Sequence, residues 1–328
     1  MANLQYLTQQ AIRAEYAQAV QAYQRPAYLS RVMTWLEGHS IKAPWISGYA
    51  GAMEEYDPHN VTGEKPVAQY IDMLVKKFKA GVEVPLQDMR RDLTNSLSRQ
   101  AIIGDLADRD MEHPETLFLD ALIAGTTALA YDGLAVFSAS HVDSGGSYST
   151  VQSNLADFDI SEVPILNHGT TTVPSIEEFG WAILDTIEKM QSFRDSMGNF
   201  VNRRIKSVAV FCSSSMYTQA MAINRMAEES GGSSVINEVE KKTGVKIEII
   251  ADPYLIAWTA TIAVVRTDVR RTFALGLEET LEPELALAIK DPSNSDYCDE
   301  NECFTVKRRA NRVVKIGDWR NAMMRVFI

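Results

Sequence analysis

Cysteine is scarce in this 328-residue sequence: Cys212, Cys298 and Cys303 are too few and too odd in number for a disulfide framework, so a reducing cytoplasm is the compartment expected. Long apolar runs are also missing. No stretch of about 18 apolar residues occurs that could span a bilayer, and the N-terminal Met1-Ala-Asn-Leu-Gln-Tyr6 has no basic region leading into an apolar core. The expectation is a soluble product that is not exported and has no membrane partner. Positive charge is in deficit, with 32 Lys and Arg against 43 Asp and Glu and a net charge of -11. That balance argues against a broad basic face for gripping nucleic acid, although an acidic wall would suit a container that must not stick to its contents.

Catalytic signatures are absent as well. The sequence has no G-x-S-x-G elbow, no G-x-x-x-x-G-K-[ST] phosphate loop, no G-x-G-x-x-G and no H-E-x-x-H. Ser138, Ser140, His141 and Asp143 place hydroxyls, an imidazole and a carboxylate close together, which suggests a hydrolase using the Ser140/His141/Asp143 loop. Catalytic triads usually gather from separate elements, so a polar turn before Gly145-Gly146 is the plainer account. Cys298 and Cys303 lie among Asp291, Asp296, Asp299, Glu300 and Glu302, but zinc would need a second Cys or His pair, and an EF-hand loop would need Gly where Asp296 stands. A solvated acidic loop is expected there, with no metal and no cofactor. The five histidines, at 39, 59, 113, 141 and 168, have no ligand spacing.

What is present is an ordinary globular composition, 46% hydrophobic and 23% charged, in a chain long enough for about two domains. Residues 4–37 read as a helical arm broken at Arg25-Pro26, with a second short helix through Val32 and Leu36; its sparse apolar residues predict packing outside its own domain. Gly and Pro crowd 38–64. The alternation over 66–85, with Lys76, Lys77 and Lys79 grouped and Gly81 interrupting, predicts two strands of a protruding hairpin that must lie on a neighbour. Lys76, Lys77, Phe78 and Lys79 are the candidate inter-subunit contacts, facing acidic residues of another copy, nucleic acid, or simply solvent.

Helix is predicted over 92–129 in two pieces divided at His113-Pro114, then a loop-rich, exposed stretch over 131–174. Ser175 and Glu178 form a capping box for a helix whose Ile176, Phe179, Ile183, Ile187 and Met190 share a face, with Asp185 and Lys189 paired four apart. A small α+β unit follows: strands at 207–212, 245–250 and 261–265, with helices at 214–227 and 235–241 around a 230–234 loop. Two strands, 304–309 and 312–316, precede an apolar terminus (Met323, Met324, Val326, Phe327, Ile328) expected to be tucked into a sheet.

This α+β order resembles the Hong Kong 97-type phage capsid fold. The run Tyr131-Asp132-Gly133-Leu-Ala-Val-Phe137-Ser138-Ala-Ser140-His141, followed by Gln152-Ser153-Asn154-Leu155, is similar to the Y-D-G…F-F-S-x-x-H segment and following S-N-L of the Mu-like phage major head subunit family. Phe304-Thr-Val-Lys-Arg-Arg309 and Gly317-Asp-Trp319-Arg320 resemble that family's closing strands and tryptophan. The resemblance implies an N-terminal arm (1–38), an extended loop with a β-hairpin (39–91), a discontinuous peripheral domain with a long spine helix (92–200 and 300–328) and an axial domain (201–299). It implies a self-assembling, non-enzymatic subunit of a tailed-phage head, forming homo-pentamers and homo-hexamers in the host cytoplasm and remaining in the virion capsid. The partners implied are further copies, portal and possible decoration proteins, and enclosed DNA held without sequence-specific binding. A separate scaffold is expected, because no long charged N-terminal extension precedes the arm. An encapsulin-like compartment shell is the same-fold alternative. Deleting 60–84 is expected to leave a folded subunit unable to assemble.

Overall fold

The computed structural model describes residues 2–47, 67–85, 97–142, 148–219, 222, 244–269 and 272–328. Asp143, the Gly145-Gly146 pair, the predicted 230–234 loop and 235–241 helix, most of the 38–64 reading and half of the 214–227 reading lie outside the described residues. Of the last, the 3-10 turn Ser214–Met216 begins a helical stretch.

The chain opens with helix α1 (Ala2–Ala22), a one-turn α2 (Leu29–Val32) and strand β1 (Met33–Glu37), so Leu36 lies in a strand and not in the predicted second helix. Pairing decides this: β1 runs parallel to β9 (Ala274–Glu279), and that long-range partner outweighs local helical spacing. The arm also packs on its own chain. Ile12 is fully buried with Val84, Ile103, Leu106, Leu287, Ile289, Phe304 and Val306 in a second, smaller core, and Tyr28 of the following turn joins the main core.

Strands β2 (Ser40–Ser47) and β3 (Val67–Leu74) form an antiparallel two-stranded ribbon. After Val75 the chain enters β4 (Lys76–Pro85), which pairs along ten residues with β11 (Cys303–Ile316). The predicted 66–85 hairpin is therefore corrected. Its two strands share no ladder; one belongs to the ribbon, the other to a sheet that closes through the C-terminal region. β11 is a single 14-residue strand across the position where two were expected, because β4 pairs it from Cys303 to Arg312 and β9 from Asn311 to Ile316. Along the edge opposite β4, β10 (Leu287–Lys290) and β9 lie end to end.

Helix α3 (Leu97–Ile123) is continuous through Pro114, where a break was predicted. Proline at 114 removes the amide that would bond the carbonyl of residue 110. Arg312 of β11 takes its place, donating from Nη1 to the Asp110 carbonyl at 2.9 Å, to Asp110 Oδ1 at 2.9 Å, and from Nε to Glu278 Oε1 at 2.8 Å. Asp110 also accepts from Tyr16 of α1 at 2.6 Å and Arg308 at 2.7 Å. One buried carboxylate thus ties the arm, the long helix and the long strand.

The second sheet has the order β5 (Leu155–Phe158), β12 (Ala322–Phe327), β8 (Thr261–Arg266), β6 (Ser207–Ser213), β7 (Lys246–Asp252). The apolar terminus is in a sheet, as expected: β12 lies between β5 and β8. Helix α4 (Ile176–Gln191) packs on this sheet with both halves of the predicted capping box formed, and Phe179, Ile183, Ile187 and Met190 buried. The predicted Lys189–Asp185 pair closes at 3.3 Å. Residues 131–174 are loop-rich as read, but they are not uniformly exposed. Tyr131, Val136, Phe137, His141, Gln152, Asn154, Ile160 and Val163 are buried, because Tyr131, Val136, Phe137 and Ile160 join the main core and His141, Gln152 and Asn154 find hydrogen-bond partners.

Candidate assembly site

The hydroxyl, imidazole and carboxylate loop is a packing knot. His141 is fully buried, with Nδ1 at 2.6 Å from Asp132 Oδ2 and Nε2 at 3.1–3.2 Å from Asn154 Oδ1 and the Val136 carbonyl. Both ring nitrogens are engaged inside the core and neither touches a serine hydroxyl, so the ring is not placed to activate a nucleophile. Ser140 is exposed and its hydroxyl meets Ser138 Oγ at 3.4 Å; Asp143 lies outside the described residues. The His141 ring stacks flat on the buried Trp319, centroids 4.1 Å apart and planes 2° from parallel. Asn154 donates to the carbonyls of Val136 (2.7 Å) and Trp319 (3.1 Å), and its own side-chain oxygen accepts from the Ser138 amide (2.8 Å). The motif residues therefore converge, 131–141 with 154 and 319, to close the sheet over the end of α4. Nothing in the spacing of 131–141 pointed to Trp319.

Cys298 lies within the short helix α5 (Asp296–Glu300) and Cys303 opens β11; both are free and buried, Cys298 Sγ lying 3.3 Å from Thr305 Oγ1. Among the described residues no group of three or more His, Cys, Asp or Glu is gathered as a metal would require. The acidic loop expected here is partly ordered by Asp291, which is buried and accepts from Ser293 and from Gln9 of the arm at 2.7 Å.

The candidate contact residues lie on β4. Lys76, Lys77 and Lys79 are exposed, while Phe78 turns inward, its ring 4.4 Å from that of His113 on α3. Burial and the charge of Arg312 hold the His113 pKa below its usual value. On the ribbon, Ile71, Met73 and Val75 are buried in the main core and Tyr70, Asp72 and Leu74 face out, Tyr70 and Leu74 each at 61% exposure. A two-stranded ribbon with one such apolar face open is marginal without a covering surface. A groove of about 670 Å³ runs beside α4, lined by Trp181, Leu184 and the carboxylates of Asp157, Asp159, Glu162, Asp185 and Glu188. Asp185 is committed to both Lys189 and the buried Arg325. No helix among the described residues is long and apolar enough to cross a membrane.

Two mixed sheets, a long helix docked on one of them and a two-stranded ribbon with one face in the main core are the Hong Kong 97-type capsid fold. Solved structures show the likeness over nearly the whole chain. It matches a subunit of the procapsid of bacteriophage JBD30 at TM-score 0.56 and 14% identity, covering 99% of this chain and 76% of that one. It matches the capsid of cyanophage P-SCSP1u at TM-score 0.51 and 12% identity, covering 94% and 90%. A virus-like particle from Pyrococcus furiosus aligns at TM-score 0.49 and 10% identity over 96% and 97%. No family model and no curated protein sequence matches.

Proposed function

We propose that this chain is the major capsid protein of a tailed double-stranded DNA phage, akin to the Mu-like head subunits, and that its copies form the pentamers and hexamers of an icosahedral head. The reading is carried by the likeness to a phage procapsid subunit over 99% of the chain at TM-score 0.56. The role is structural and not catalytic, which agrees with an imidazole committed to acceptors at both nitrogens. The arm, residues 1–38, and the extended loop, residues 39–91, are the segments that contact neighbours. Residues 92–200 and 300–328 form the peripheral domain and 201–299 the axial domain, the two sharing ladders where β9 and β10 meet β11 and where β8 meets β12. Closed symmetry repeats each modest contact many times, so a stable shell needs no tight individual interface. Assembly takes place in the host cytoplasm with a separate scaffold and a portal, and the finished shell encloses DNA without reading its sequence.

The test is sizing of the purified chain by sedimentation and electron microscopy, alone and with a co-expressed scaffold. Hexamers, pentamers or shells are expected. A chain that stays monomeric under every condition refutes the proposal, and shells filled with protein cargo in place of DNA would instead favour a compartment.

A further inference from the structure

The β4–β11–β10 sheet has one packed face and one cationic face. Along β4, Val82 and Val84 turn toward α1 and α3 while Lys77, Lys79, Gly81 and Glu83 are exposed. The antiparallel register sets Lys79 directly opposite Arg309, Gly81 opposite Lys307 and Lys77 opposite Asn311. Directly opposed residues share a face, as do residues two apart, so Lys77, Lys79, Lys307 and Arg309 form one patch, and all four are exposed. Among the described residues, no ion pair within 4 Å engages any of them. Glu83 and Glu279 border the patch: Glu83 accepts from Tyr297 at 3.0 Å, and Glu279 accepts from Asn311 at 2.6 Å, meets His39 at 3.1 Å and is acted on by the Lys77 charge, so two carboxylates offset the four cations only in part.

Such a patch runs against the net charge of -11, and like charges set directly opposite destabilise a sheet. Lysines on an open edge strand are a common guard against edge-to-edge pairing, which accounts for Lys77 and Lys79 on β4. It does not account for Lys307 and Arg309, because β11 has neighbours on both sides. The cations on these rows outnumber the bordering carboxylates, so the face keeps a positive charge that an anion from outside would offset.

The geometry points to this face as a docking surface for carboxylates of a second copy of the chain. The inference rests on the proposed self-assembly and names a receiving surface for it. A second copy, with 43 Asp and Glu against 32 Lys and Arg, presents a mainly anionic surface. Duplex nucleic acid suits the face less well: it carries a charge about every 1.7 Å and would press against Glu83 and Glu279 at the margins.

The experiment replaces Lys77, Lys79, Lys307 and Arg309 by Gln in the full chain, with Lys79→Gln/Arg309→Gln as a milder second variant. Circular dichroism and melting temperature verify folding. The expected result is a wild-type melting temperature or a slightly higher one, with the protein concentration needed for assembly raised about tenfold. Added NaCl should weaken wild-type assembly and leave that of the variants nearly unchanged. Variants that assemble at wild-type concentration with wild-type salt dependence overturn the inference. So do variants that assemble normally but whose shells no longer retain DNA, which would assign the face to nucleic acid. A wild-type chain that never assembles overturns the proposed function and this inference together, whereas equal assembly of wild type and variants overturns this one alone.

Discussion

Replacing Arg312 by Leu removes the group that makes a proline compatible with the middle of α3. The guanidinium bonds the Asp110 carbonyl, the Asp110 carboxylate and Glu278, with a longer contact to His113 Nδ1 at 3.4 Å. Without it the carbonyl is orphaned, since Pro114 has no N–H to donate, and a buried unsatisfied acceptor costs about 1–3 kcal/mol. The carboxylate loses one of two cationic partners but keeps Arg308 and Tyr16. That places the total at the lower end of the roughly 3–5 kcal/mol for breaking a buried pair. About 3 kcal/mol is expected, equivalent to a melting temperature lowered by about 4 °C for a chain of this length. Urea unfolding of the unassembled subunit, followed by circular dichroism, measures it. The discriminating step is a double-mutant cycle with Pro114→Ala, which restores an amide for the orphaned carbonyl. The second substitution should recover about 1 kcal/mol or more in the Arg312→Leu background beyond its effect in the wild type. A loss below about 0.5 kcal/mol for Arg312→Leu, or strict additivity in the cycle, would refute the reasoning.

Other outcomes follow from the same interactions. Burial tends to raise the Asp110 pKa, but the Arg312 charge, the Tyr16 hydroxyl and Arg308 outweigh it, and the net shift is downward. A depressed carboxylate contributes stability that is present above its unfolded value near 4 and is lost as pH falls through the folded value, so Asp110→Asn should flatten the acid limb of a stability profile. His141→Ala should lower stability by about 3 kcal/mol, since it opens a cavity against Trp319 and strips the partner from Asp132, and should change no hydrolytic rate; a folded variant with unchanged melting would count against the knot. Burial pushes the Cys212 thiol up to about 12, so native protein should react with a thiol reagent at this position only on unfolding. Replacing 48–66 by a short Gly-Ser link should give folded, assembly-incompetent protein, with sedimentation as the readout. The larger 60–84 deletion would instead remove most of β4, and Val84 from the second core, and should not fold.

Local signals were legible where a residue's partners lie within a turn or two. The Ser175/Glu178 box, the apolar face of α4 and its Asp185–Lys189 pair depend on three- and four-residue spacing alone. The candidate lysines were visible for the same reason, as a cluster within four residues. Lys307 and Arg309 were equally visible as charges, but their place beside Lys79 is a property of register between strands more than 220 positions apart.

By itself, the sequence determined the α+β class, the capped helix, the β character of the apolar terminus and the acidity of the whole. These are set by periodicity, capping chemistry and composition, each a short-range or additive property. Only the tertiary structure decided that Leu36 joins a strand, that 66–85 divides between a ribbon and a sheet, and that α3 survives Pro114. It also decided that His141 is a stacked core residue. In each case the deciding free energy comes from a partner distant along the chain, a ladder, a guanidinium or an indole, which outweighs the local preference.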